Sequence, residues 1–192
     1  MNPDARRMVH ALSLLCTLWT GIHHGLAGAD QLWREDEQRF RIGLKLFPAC
    51  VGALVGLDKM TSADGKLLII VVFAEDDHAA VQAANHLAEV GQIRGLPLEV
   101  KTLSASRLDG FDQGPVGAVF VSSIGVEPSR LRAWSRTSRT LVFSPFTGDV
   151  EDGAVAGIYV SDRILPLINP AQAKQAHVHF KPFFLRVART HE

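Results

Sequence analysis

From Phe40 onward the apolar residues fall at Phe40, Leu44, Phe47, Val51 and Leu54, a spacing that predicts an amphipathic helix. Pro48 inside this stripe removes a backbone donor, so a kink or a weakened helix is expected there. Such a stripe either packs on the core or docks on a partner or second subunit. At Lys66 to Phe73 the period changes to an unbroken apolar run rich in β-branched residues. That pattern predicts a strand buried on both faces, as in a parallel sheet. Glu75-Asp76-Asp77 then open a second helix, with apolar positions Val81, Ala84, Leu87, Ala88 and Ile93 and an end at Gly95. Leu98 to Leu103 is the next strand and completes a β-α-β unit, expected right-handed.

A third strand is expected at Val116 to Val121, a basic helix from Pro128 to Arg136, and a fourth strand at Thr140 to Phe143. The loop Ser144 to Asp152 is rich in Gly, Pro and acids. Two further apolar runs, Gly153 to Val160 and Arg163 to Asn169, flank a polar Ser161-Asp162 pair and predict a hairpin. Asn169-Pro170 closes it and starts a short helix, since Asn caps helices and Pro suits the first helical position. The alternation implies an α/β single-domain sandwich, with a mostly parallel central sheet, helices on both faces, a C-terminal antiparallel hairpin and a terminal helix.

The front of the chain bears on location. Arg6 and Arg7, the apolar stretch Met8 to Trp19 and the small residues Ala27-Gly28-Ala29 have the order of a secretory signal peptide over residues 1–29, cleaved before Asp30. The stretch is shorter than the ~20 residues of a membrane span. Residues 30–39 then read as a frayed polar lead-in, and 40–190 as one domain. Without 1–29 the net charge is −1, and nothing in the charge balance suggests electrostatic capture of nucleic acid. Cys50 would then be the one remaining cysteine, unable to form an internal disulfide and placed on an apolar helix face.

Chemistry is hard to find in the pattern. The turn Glu75, Asp76, Asp77 after the first strand would repel a phosphate, and neither G-x-G-x-x-G nor a Walker pattern occurs. An acidic helix cap is the simpler reading of it. Ser122, Ser123 and Ser144 lie at strand ends, where open α/β sheets place ligands, yet no base accompanies them and turn chemistry is the favoured reading. His177-Val-His179 offers two imidazoles on one face of an extended segment, short of a metal set. Arg130, Arg132, Arg136 and Arg139, with Trp134 among them, form a basic cluster, by default a solvated helix face and otherwise a docking patch, because Arg and Trp are common interface anchors. No catalytic residue, metal or cofactor is expected.

The tail, with its glycine-led strand Gly153 to Val160, Ile168-Asn169, the helix Ala171 to Ala176 and a terminal helix Leu185 to Arg189, resembles the YfiR/HmsC-like family of periplasmic proteins (the DUF4154-type domain). Lys66 to Asp77 is similar to that family's first strand and acidic turn. The resemblance spans roughly residues 40 to 190. It implies a non-enzymatic periplasmic regulator acting on an inner-membrane diguanylate cyclase, and hence on cyclic-di-GMP signalling, sometimes as a homodimer. Two departures stand against it: the single Cys50, and Leu-Lys-Leu-Phe-Pro where the family's first helix is rich in aromatics. The competing expectation is a small periplasmic solute-binding protein that holds a small-molecule ligand for a transporter.

Overall fold

The computed structural model describes residues 23–191, with side chains from residue 34 onward. Most of the expected signal segment lies outside the described residues. Helix α1, His23–Gly52, runs through the stretch expected as a frayed lead-in, so residues 31–38 are helical. Arg39–Glu192 form one compact unit. In that unit Phe40, Leu44, Phe47 and Val51 of α1 are all buried, as the stripe predicted, and Leu54 is buried just beyond the helix. Pro48 lies inside α1 without ending it.

Eight strands make one sheet: β1 Leu67–Phe73, β2 Gln92–Ile93, β3 Leu96–Ser104, β4 Ala118–Val121, β5 Leu141–Ser144, β6 Ala156–Val160, β7 Ile164–Ile168 and β8 Arg189–Thr190. Their order is β2-β3-β1-β4-β5-β6-β7-β8. Neighbours from β3 through β1, β4 and β5 to β6 are parallel, and β6 with β7 forms the expected antiparallel hairpin. The fold is a mixed α/β sandwich with a mostly parallel sheet. Six of the seven β1 residues are buried, which requires cover on both faces and explains the unbroken apolar run. Phe47 sits edge-on to both Phe120 and Phe143, at 5.2 and 5.5 Å between ring centres, and locks α1 to the middle of the sheet.

The connecting helices are α2 His78–Val90, α3 Ala105–Leu108, α4 Pro128–Ser138, α5 Asp149–Asp152, α6 Pro170–Gln175 and α7 Pro182–Leu185. Several differ from the sequence reading. The buried face of α2 is Ala80, Ala83 and Leu87, whereas Val81 is exposed. Two alanines permit close packing of α2 on β1 and β3, which turns the larger Val81 outward. The helix ends at Gly91, whose φ of 70° suits a residue without Cβ, and not at Gly95. Gly95 instead closes a tight hairpin with Arg94, both at positive φ, between β2 and β3.

At the C-terminus the expected helix Leu185 to Arg189 is absent. Helix α7 stops at Leu185, and Arg189 and Thr190 pair in parallel with Leu167 and Ile168 of β7. The free edge of the hairpin offers unpaired backbone groups, and the chain end satisfies them. β8, not the hairpin, is therefore the sheet edge. The Asn169–Pro170 start of α6 is as expected: the Asn169 side-chain oxygen accepts from the Gln172 amide at 2.9 Å.

Candidate functional site

The strand order reverses direction at β1, with β3 on one side and β4 on the other. Open α/β sheets commonly bind ligands beyond the strand ends at such a point. The expected residues Glu75, Asp76 and Asp77 and the pair Ser122 and Ser123 do meet there, after β1 and β4 respectively. Their hydrogen bonds close the seam. Ser122 Oγ donates to the Val72 carbonyl at 2.8 Å, and Ser123 Oγ accepts from the Ala74 amide at 2.9 Å. Both hydroxyls thus stitch β1 to β4. Glu75 to Asp77 are exposed and precede α2, whose first turn carries no acid. Asp76 still caps locally, accepting from the His78 amide at 3.1 Å.

The basic cluster on α4 is divided by the fold. Trp134 is buried, and its indole N–H donates to Asp109 Oδ1 at 2.8 Å. Arg130 engages the other oxygen of Asp109 at 3.2 Å. Arg132 donates to the Asp152 carbonyl, which leaves Arg136 and Arg139 exposed. A docking patch that includes Trp134 is therefore not present, because an indole in the core is unavailable to a partner. His177 has a φ of 55°, so His177 and His179 do not share an extended segment as expected. Among the described residues, no group of three or more His, Cys, Asp or Glu side chains is placed to hold a metal.

The concavities lie elsewhere, beside the closing segment. One, of about 160 Å³, is bordered by Arg39, Gly148, Glu151 and Tyr159. A second, of about 360 Å³, is bordered by Glu151, Tyr159, Arg189 and His191. They share Glu151, Tyr159 and Leu167, so they adjoin as one groove. Arg39 is fixed at one end, donating from Nε to the Pro145 carbonyl at 2.8 Å and from a terminal nitrogen to the Ile158 carbonyl at 3.2 Å. Arg189 lies at the other end, its guanidinium 5.5 Å from the Tyr159 ring centre.

Beneath the groove, Ser144 Oγ donates to Asp149 Oδ2 at 2.5 Å. Burial pushes the Asp149 carboxyl up to about 6, and the nearby Asp152 and Glu151 charges add to the rise. The Ser144 hydrogen bond and Arg39 act in the opposite direction without cancelling it. The groove therefore combines two cations, one exposed acid and an aromatic ring, with the raised Asp149 carboxyl on the same loop but outside its lining. It suits a small polar molecule with an anionic end. The sequence marks Ser144 as a strand-end serine and Ser144 to Asp152 as a loop rich in Gly, Pro and acids, and neither pattern pairs Ser144 with Asp149. Arg39, which lies 106 residues from Pro145 in the chain, carries no local signal of its role.

No family model matches the chain, and no curated protein matches it. Among solved structures, the ABC domain in complex with L-Trp from Streptococcus pneumonia is similar at 13% identity and a TM-score of 0.45, over 73% of this chain and 61% of that one. A conserved domain protein from Vibrio cholerae O1 biovar El Tor is similar at 15% identity and a TM-score of 0.45, over 68% and 56% of the two chains. The chain thus spans less than two thirds of either protein. Neither likeness bears on ligand or activity.

Proposed function

We propose that this chain is a periplasmic, non-enzymatic regulatory or sensor protein that binds an inner-membrane signalling partner, in the manner of the YfiR/HmsC-like family, and modulates a diguanylate cyclase. The observation that carries the reading is where the family-like segment falls. Residues 153–189, on which the resemblance rests, supply Tyr159, Leu167 and Arg189 to the groove. In this reading the groove is the sensing or docking surface, and the signal peptide delivers the domain to the periplasm with cleavage near Ala29. Deleting the gene and measuring cyclic-di-GMP tests it. A rise in the nucleotide supports restraint of a cyclase, and unchanged levels refute it. N-terminal sequencing of the exported protein tests the location.

A second reading has its own support in the groove's paired cavities. Their charges fit a small-molecule ligand, as a periplasmic solute-binding protein would require. A thermal-shift screen of small metabolites distinguishes the two. Concentration-dependent stabilisation by one compound, with cyclic-di-GMP unaffected by gene deletion, favours transport over regulation.

A further inference from the structure

We propose that the segment Lys181–Arg189 is a docking surface for an anionic lipid bilayer. Three large apolar side chains are left in solvent within five positions: Phe183, Leu185 and Val187, at 55%, 43% and 57% exposure. Isolated exposed hydrophobes are ordinary, but three within five positions concentrate apolar surface in one short segment. The backbone that presents them is fixed. Phe184 turns inward and stacks on Phe180 with ring centres 5.5 Å apart. The Lys181 amide donates to the Ala53 carbonyl at 2.9 Å, and the Val55 amide donates to the His179 carbonyl at 2.8 Å.

Along the sequence the charge of this segment is one-sided up to Glu192, although Glu151 shares a cavity with Arg189. From Pro170 to His191 the chain carries Lys174, Lys181, Arg186 and Arg189 and no Asp or Glu, although its overall formal net charge is zero. Lys174 and Arg186 are exposed. The Lys181 ammonium reaches back to the Gly52 carbonyl only at 3.4 Å. Long basic side chains can hold lipid phosphates while the neighbouring apolar groups enter the acyl boundary. Either contribution alone gives marginal attachment, and the two together give stable attachment. An acidic protein face would satisfy the cations but not the adjacent Phe183, Leu185 and Val187. An anionic bilayer meets both with one surface.

The proposal goes beyond the regulatory reading and does not depend on which partner the domain binds. Hydrogen exchange by mass spectrometry on the full chain tests it, with vesicles of phosphatidylglycerol and phosphatidylethanolamine compared against phosphatidylcholine alone. Exchange across residues 181–190 is expected to slow several-fold with the anionic vesicles only, and to recover at about 0.5 M salt as charges are screened. The double variant Lys181→Gln/Arg186→Gln is expected to weaken vesicle binding roughly thirtyfold, from two lost cations near an anionic surface. Phe183→Ser should weaken it too while leaving the thermal midpoint unchanged, since that ring lies in solvent. The idea is overturned by unaltered exchange in the segment, by equal slowing on neutral vesicles, or by vesicle binding that both variants retain. Protection of the segment by a soluble acidic protein but by no vesicle would likewise replace the bilayer with a protein partner.

Discussion

Ser144 and Asp149 share a 2.5 Å hydrogen bond, five residues apart and on either side of the tight loop whose Gly148 and Glu151 border the groove. Ser144 is fully buried, and Phe146 donates its amide to the same hydroxyl at 3.3 Å. The acid is thus held in a poorly solvated site with Glu151 and Asp152 on its own short helix, opposed by the Ser144 hydrogen bond and by Arg39.

Stability should depend on pH through this acid. The folded carboxyl titrates at about 6, against 3.8 for an ordinary aspartate, so the fold binds this proton more tightly than the unfolded chain does. The stabilisation is complete below about pH 4 and is lost as pH rises through 6. Asp149→Asn should flatten that slope and make the protein more stable than wild type at pH 8, by about 1–2 kcal/mol once solvent screening is allowed for. Urea midpoints between pH 4.5 and 8 measure it. An unchanged slope in the variant would assign the effect to another group. Asp64, lowered to about 2 by Ser62 and Lys66, acts in a separate acidic window: its contribution is present above pH 4 and lost as pH falls through 2.

The Asn169 side chain ties α6 to α5. Its oxygen caps α6 through the Gln172 amide, and its nitrogen donates to the Val150 carbonyl of α5 at 2.8 Å. Asn169→Ala removes the cap and leaves a buried carbonyl unpaired, for an expected loss of about 2–3 kcal/mol. Asn169→Asp keeps the cap but turns an acceptor toward Val150, so it should fall between the two. Denaturant titration of both variants checks the order. An aspartate variant as weak as the alanine would mean that the Val150 bond, not the cap, dominates.

Asn169 and Pro170 also show where sequence reasoning succeeds. A cap and a first-turn proline act within four residues, so their meaning is local. The same holds for β1, whose β-branched run has few alternatives to a buried strand. Other features depend on contacts that local patterns do not carry. Two-residue β2 exists because Gly91 ends α2 early and Arg94-Gly95 can turn back. β8 exists because β7 had a free edge. Trp134 looked like an interface anchor, and only the fold brings Asp109 to its indole N–H. The groove is the extreme case, since Arg39 of α1 meets Pro145 and Ile158 across more than 100 residues.

The close approach of β6 to β5 rests on a missing side chain. A Cβ at Gly157 would collide with the Ser144 carbonyl and with Val150. The carbonyl belongs to the β5 backbone and cannot swing aside as a flexible side chain can. Gly157→Ala should therefore destabilise by about 3 kcal/mol, the upper end for overpacking, and disturb the Ser144–Asp149 pair. Gly56→Ala provides the contrast, because nothing lies near a Cβ there and only its φ of 72° resists substitution. Its cost should be about 1 kcal/mol. Equal losses for the two would mean that β5 and β6 can separate without penalty.

Cys50 offers a test of the core under α1. The thiol is fully buried, and burial pushes its pKa far up, so thiolate is scarce at neutral pH. Alkylation at this residue, followed by mass mapping of its peptide, should be negligible in the native protein and become rapid only across the urea transition. The labelling midpoint should coincide with that of global unfolding, since Phe47, Val51 and Leu54 around the stripe belong to the same core cluster as the sheet. Fast native labelling would show that α1 detaches from the sheet on its own. In that case Arg39 would leave Pro145 with it, and the groove would be a transient surface rather than a built one.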